Sequence, residues 1–329
     1  MSAKLEWNAT ADERFVDRWY DRIARYRTIA ILLFLIAMPW WMPHEALAVS
    51  ILIFGLYAVG FNLLFGYTGM LSFGHAAFFG GGAYGAGIAI AHFGQAWLGA
   101  IAAGIITAGV LAVLIGLMSI RSRGIYFAMV TLALSQLVYY LFFQATDWTG
   151  GENGLRGITI ETVAFGPYRL DFLNPTVKYY VVLAFVAAAL WLFSRILASP
   201  FGGVLEAIRE NENRARACGY DVARTKLLAF ILSGLFCGLA GALYALHISI
   251  VPMDLLHYQT SGLVVMMALL GGMGTLFGPF VGAATFLLIE DVVSLYTPYW
   301  QFVAGVVFIV FVLFFPRGIW GSLLAWIRR

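Results

Sequence analysis

The chain has 329 residues, of which 62% are hydrophobic and 11% charged, against roughly 45–50% and 25% in a soluble domain. From Ala46 to Ile120 it contains no Asp, Glu, Lys or Arg, a run far beyond the roughly 20 apolar residues of one membrane span. A soluble enzyme, a disordered chain and a secreted disulfide scaffold are excluded, and the net charge of +3 is too balanced to suggest a nucleic-acid partner.

In chain order, residues 1–27 hold six basic and five acidic side chains. They lack the short basic start and small-residue exit of a cleavable signal, so they read as a retained cytosolic segment, with a mixed charge that suits a membrane surface. Apolar spans follow near 28–43, 46–65, 72–92, 97–118, 125–144, 177–197, 226–249, 260–273, 276–291 and 299–315. Backbone polar groups in hydrocarbon must be paired within their own segment, which predicts helices; a barrel would show short alternating strands. The expected fold is therefore all-α, an integral membrane protein of about ten transmembrane helices. Its parts are a cytosolic segment over 1–27, a transmembrane domain over 28–315 and a cytosolic tail over 316–329.

The stretch 260–273 is short enough to be either a full helix or a re-entrant half-helix. Charge decides between them. Ten crossings with both termini inside put 17 of the 20 basic residues on the cytoplasmic side, leaving only Arg156, Arg169 and Lys178 outside. That is the bias expected of short cytoplasmic loops.

Two loops exceed a simple connection. The outer loop, 146–177, contains Thr149-Gly-Gly-Glu-Asn-Gly-Leu155 and could dock a soluble partner through Glu152 and Arg156, or merely cap the helix ends. The inner loop, 199–226, holds nine charged residues. From Val204 its composition predicts a helix stopped by Gly219 in a left-handed conformation, either a solvated hairpin or a segment that sits in a groove on a cytosolic partner.

Several chemistries are missing. No Gly-x-x-x-x-Gly-Lys-Ser/Thr loop exists to cradle phosphates; the three lysines, Lys4, Lys178 and Lys226, never follow a glycine. No HExxH, Gly-x-Ser-x-Gly elbow or paired carboxylates within a span point to an enzyme. Cys218 and Cys237 lack CxxC spacing, and no metal site is expected. Ion-coupled carriers keep charged groups at the midplane, whereas here Glu290 and Asp291 read as ending one helix near the outer face and Arg195 another near the inner face. Asn62, Ser72, His75, Thr131, Ser135 and Gln136 are the polar candidates for a translocation path. For His75 a hydrogen bond between helices is the plainer role, and for Gly80-Gly81-Gly82 the plainer role is close packing.

The inner loop also carries a family signature. Ala207-Ile-Arg-Glu-Asn-Glu212, Ala217-Cys-Gly-Tyr220, Lys226-Leu-Leu-Ala-Phe230 and Gly238-Leu-Ala-Gly-Ala-Leu-Tyr-Ala245 resemble the permease subunits of branched-chain amino-acid ABC importers. Ser72-Phe-Gly-His-Ala-Ala-Phe-Phe79, Arg123-Gly-Ile-Tyr-Phe-Ala-Met-Val-Thr-Leu-Ala133 and Thr149-Gly-Gly-Glu-Asn-Gly-Leu155 resemble its LivM-like branch, and Gly271-Gly-Met-Gly-Thr-Leu-Phe-Gly-Pro279 and Phe315-Pro-Arg-Gly-Ile-Trp-Gly321 complete the match. The resemblance runs from about residue 46 to the C-terminus. It implies a non-catalytic permease in a bacterial inner membrane that carries leucine, isoleucine, valine or a related small amphipathic solute. A urea or short-amide importer is the alternative within the family, and a partner-independent carrier or channel outside it.

The implied partners are a second homologous permease, two cytosolic ATP-binding subunits that hold the ATP and magnesium, and a periplasmic substrate-binding protein. The chain itself would hold no cofactor. By the same resemblance the inner loop is the segment coupled to the ATPase, through Glu206, Ile208, Arg209, Glu210, Glu212, Ala215 and Gly219. Of the family's Glu-Ala-Ala and downstream Gly pattern, it keeps Ala215 and Gly219.

Overall fold

The computed structural model describes residues 44–158, 162–165, 168–172, 174–314 and 318–327, together with Leu35, Met38 and Pro39. The 1–27 segment, most of the 28–43 span, Glu161, Arg317, Arg328 and Arg329 lie outside the described residues.

The fold is helical apart from one small hairpin. Helix α1 spans Glu45–Thr68, α2 His75–Ala91, α3 Trp97–Ser119 and α4 Ile125–Gln144. Strands β1 (Thr162–Phe165) and β2 (Tyr168–Asp171) pair antiparallel, with Thr162 opposite Asp171. Then come α5 (Pro175–Leu197), α6 (Pro200–Glu210), α7 (Glu212–Ala217), α8 (Val222–Ile248), α9 (Tyr258–Gly271), α10 (Gly278–Tyr296), α11 (Trp300–Phe314) and α12 (Gly318–Ile327). Six of these, α1, α3, α4, α5, α8 and α10, are long and apolar enough to cross a membrane.

Local chemistry sets the ends. Gly69 at φ +73° closes α1, its N–H donating to the Phe65 carbonyl at 3.1 Å. Pro175 starts α5 where a missing N–H costs nothing, behind an Asn174 side chain that accepts from Thr176 N–H at 3.0 Å. The Asp221 carboxylate caps α8 by accepting from Arg224 N–H at 3.1 Å.

One end of the bundle carries α6 and α7 and is called here the loop end; the other carries β1–β2, the hairpin end. At the hairpin end Leu155 and Val251 exchange both backbone hydrogen bonds at 3.0 Å. The chain turns inward from that end before α9 begins level with the first turn of α2, where Ala76 N–H donates to Ser261 Oγ at 2.8 Å, and α9 finishes toward the loop end, where Gly274 N–H donates to the Asn62 side chain at 3.0 Å. The 14-residue α9 therefore covers only part of the distance between the two ends, the non-helical and 3-10 stretch 249–257 covering the rest.

The core is built on α1 and α8, with α2 and α3 packed against them. Helix α1 is buried nearly all round, whereas α4 leaves Ile125 73%, Met129 60% and Tyr140 60% exposed. Apolar helices with that much uncovered hydrocarbon need lipid or a protein partner around them. Helices α2, α3 and α8 meet at glycines. A Cβ on Gly82 would fall 2.3 Å from the Gly238 carbonyl oxygen, and one on Gly241 would fall 1.9 Å from that of Phe79. The glycine run is a packing seam, which lets backbones approach without side chains between them.

Gly241→Val should therefore lower the stability of the detergent-solubilised protein by at least about 2 kcal/mol, the range of core overpacking. Gly203→Ala, on the open face of α6 with nothing near, should leave it unchanged or slightly raised. Thermal unfolding of the two variants side by side tests the seam.

Candidate functional site

Two polar assemblies stand out. The first is buried around the start of α2. The chain between Gly69 and Gly74 is not helical, yet it reaches the level of Thr131, six residues into α4 and about 9 Å along its axis. Phe73 N–H donates to Thr131 Oγ1 at 3.2 Å, Gly74 N–H to Ser72 Oγ at 3.1 Å and Ala76 N–H to Ser261 Oγ at 2.8 Å. Ser261 thereby satisfies one of the N–H groups that the first turn of a helix leaves without intrahelical partners, and Thr131 and Ser72 satisfy two in the chain that leads into it.

His75 faces the other way. Its Nε2 lies 2.8 Å from Ser233 Oγ, and Ser233 Oγ–H donates to the Gly60 carbonyl at 2.6 Å. With the serine proton so committed, its oxygen accepts from Nε2–H, which fixes the tautomer. Phe61, Phe78 and Phe230 surround the ring, with centroids 4.9, 5.5 and 6.4 Å away. Asn62 is engaged elsewhere, clasping the α9–α10 connection through the Thr275 carbonyl at 2.9 Å and Gly274 N–H at 3.0 Å.

Of the six path candidates, Ser72, His75 and Thr131 gather at this helix start and Asn62 serves a neighbouring turn; all four make hydrogen bonds, though His75 Nδ1 has no partner among the described residues. Ser135, one turn beyond Thr131 on the same face of α4, and Gln136 are different. Ser135 Oγ and Gln136 Nε2 are buried with no hydrogen-bond partner among the described residues. Ser233 and Ser261 belong to the assembly but carry no local signal that separates them from any other serine in a span.

The second assembly is at the loop end. The expected single helix breaks at Asn211, whose extended backbone (φ −159°, ψ 102°) ends α6 and whose side chain accepts from Arg214 N–H at 2.9 Å to start α7. Ile208, Ala215 and Val222 are buried against one another, so Ile208 and Ala215 hold the hairpin together and face away from solvent. Glu206, Glu210 and Gly219 are exposed, and Gly219 takes the expected left-handed conformation, φ +89°. Arg209 donates to the Gly66 carbonyl, one of the unpaired carbonyls at the end of α1.

Glu212 is the hub. It accepts from Lys226 at 2.6 Å and Arg216 at 3.0 Å, and Arg123 stands 3.7 Å away. Burial pulls its pKa up, but the hydrogen bond and charge of Lys226, with the charges of Arg123 and Arg216, outweigh this and hold it below its ordinary value. A cavity of about 560 Å³ lies beside it, lined by Met70, Arg123, Phe127, Glu212 and Lys226 among others.

At the hairpin end Glu152 and Arg156 are both exposed. The loop that bears them is anchored by Thr149 Oγ1, which donates to the Phe142 carbonyl at 2.7 Å. Among the described residues no three His, Cys, Asp or Glu side chains gather to hold a metal.

Comparison with known proteins gives this geometry its context. Residues 44–312 match the family model described as branched-chain amino acid transport system, permease component. The chain belongs to this family. The permease is 28% identical to the high-affinity branched-chain amino acid permease protein LivM of Salmonella typhimurium, over 88% of this chain and 73% of that protein. It is 26% identical to the probable LivM protein of Methanocaldococcus jannaschii, over 81% and 87%. The autoinducer 2 import permease LsrC of Klebsiella pneumoniae is 34% identical, but over only 49% of this chain and 47% of its own length. No solved structure matches the permease.

Two expectations follow for these assemblies. Ser233→Ala should cost about 1–3 kcal/mol by leaving His75 Nε2–H and the Gly60 carbonyl unpaired. In a double-mutant cycle with His75→Phe the two losses should sum to more than the double variant shows. At the loop end, a depressed carboxyl pKa contributes stability above the ordinary carboxylate value and loses it as pH falls through the depressed one. Hydrogen exchange of the α7 amides, corrected for intrinsic rates, should accelerate in acid, whereas Glu212→Gln should exchange fast already at neutral pH.

Proposed function

We propose that the chain is the permease subunit of an ATP-driven importer for leucine, isoleucine, valine or closely similar solutes. It works with a second homologous permease, two cytosolic ATP-binding subunits that carry ATP and magnesium, and a periplasmic binding protein. The single observation that carries this reading is likeness to LivM proteins across nearly the whole chain. The galactose/methyl galactoside permease MglC of Salmonella typhimurium aligns over only 50% of the chain, which favours amino acids over sugars.

The loop end is the cytoplasmic end. Eight basic residues belong to it (Arg121, Arg123, Arg195, Arg209, Arg214, Arg216, Arg224 and Lys226) against Arg156, Arg169 and Lys178 at the other, in keeping with positive charge on the inside. Here α6–α7 couples to the ATPase. Glu206, Glu210 and Gly219 form the contact face, while Ile208, Ala215, Arg209 and Glu212 tie that face to α8, α1 and α4. Ser135 and Gln136 line the path, because their free polar atoms are available to a solute shedding water. Glu152 and Arg156 steer the binding protein.

The test is ATP hydrolysis by the reconstituted complex. Ala215→Phe and Gly219→Val should insert normally yet lose stimulation by the loaded binding protein; normal stimulation would remove the coupling role. Glu152→Lys with Arg156→Glu should raise the binding-protein concentration for half-maximal stimulation, most at low salt where screening is weak. No change there would reduce the loop to a cap.

A further inference from the structure

A second group of unpaired polar side chains lies toward the hairpin end. A cavity of about 550 Å³ opens between α9, α10, α11 and the Met253–Leu256 turn, its lining including Glu290, Asp254, Gln301, Tyr244, Trp300 and Leu263. That size is typical of small-molecule sites. Its lining contains no Lys or Arg, so its field is negative.

The position of Glu290 departs from the sequence reading. Helix α10 continues through Tyr296, which leaves Glu290 six residues inside it, about 9 Å from the end at 1.5 Å per residue. A carboxylate that deep in a spanning helix is costly and marks use. Among the described residues no hydrogen bond or ion pair involves the carboxylate of Glu290 or of Asp254. Surface carboxylates go without partners because bulk water solvates them; Glu290 is half-buried against Tyr244 and Trp300.

We propose that this cavity binds the ammonium group of an amphipathic primary amine or amino acid, with Glu290 as its main charge partner and Asp254 at the mouth. An ammonium brings three donors and no acceptor, which suits carboxylates and the Gln301 amide oxygen. The faces of Tyr244 and Trp300 attract a cation, and Leu263 gives an aliphatic chain an apolar wall. A second carboxylate-bearing ligand group would be repelled from the depth of the site and stay at its open side. This deepens the importer reading by giving the cargo's charged nitrogen a place in the permease, but binding itself can be measured without that reading.

The experiment is calorimetric titration of the full chain in nanodiscs at neutral pH with leucine, 3-methylbutan-1-amine and 4-methylpentanoate. The amine should bind and the acid should not. Glu290→Gln should weaken the amine by about tenfold or more, while Glu290→Asp stays within about threefold of the parent. Absence of amine binding, equal binding of amine and acid, or an unaltered Glu290→Gln variant overturns the proposal. The amine–acid contrast needs no variant, so misfolding of Glu290→Gln leaves the test intact. In the assembled complex, Glu290→Gln should lower leucine uptake per ATP hydrolysed while stimulated hydrolysis persists. Unchanged uptake would take the site off the path, whereas absence of uptake by the parent complex would count against the importer reading alone.

Discussion

Inside a bilayer an amide without a partner costs several kcal/mol, and the start of α2 is where this fold meets that constraint most sharply. The chain between α1 and α2 is irregular while already at the depth of Thr131. Irregular backbone survives at such depth only when it is buried in protein and paired. Three amides here, those of Phe73, Gly74 and Ala76, each meet a hydroxyl from a different place in the sequence: Thr131 from α4, Ser72 from the same turn and Ser261 from α9. Moving any of these helices relative to α2 would unpair a buried donor.

The same helix is pinned along its length by glycine contacts with α3 and α8. The unit formed by α2, α3 and α8 is therefore rigid, because neither its polar ties nor its backbone contacts tolerate sliding. Motion delivered at the loop end must pass through other elements. Arg209 joins α6 to the last carbonyls of α1, and Asn62, one turn earlier in α1, holds the α9–α10 connection. On the proposed reading, a push on α6 reaches the α9–α10 connection and the start of α10 through α1, while Glu212 links α7 to the head of α8 and the start of α4.

Membrane class, helical fold and family were legible from charge-free runs and from motifs such as Ala207–Glu212, since those signals are compositional or local. The stop at Gly219 was legible for the same reason: a left-handed residue after a helix is a local requirement. The break at Asn211 was less so: an asparagine that caps α7 with its own side chain is a local signal, but in a stretch rich in Glu, Arg and Ala it is outweighed until Ile208 packs onto Ala215 and Val222. For the buried candidates, residue type marked Ser72, His75 and Thr131 as unusual but could not say what they served. Their partners Ser233 and Ser261 lie 158 and 185 residues away, and no pattern along one chain reports a contact at that separation. The two-stranded hairpin was missed because strands of four residues are too short to display an alternation.

Glu290 shows how a boundary error hides chemistry. Ending α10 at Asp291 makes two adjacent acids look like a solvated helix terminus; carrying the helix to Tyr296 brings Glu290 inside, with no cation to neutralise it. A permanent ion pair there would be cheaper to bury, but it would leave nothing for a passing ammonium to exchange with. A carboxylate still partly reached by water, flanked by aromatic faces, offers a cation an interaction strong enough to favour entry and weak enough to allow release. Conduction and transport both demand that compromise. A transport system whose selection rests with a soluble binding protein gains nothing from a tight site in its permease, since cargo held there would have to be pulled off at each cycle. On the proposed reading, an unpaired, partly hydrated Glu290 is the arrangement that such a division of labour favours.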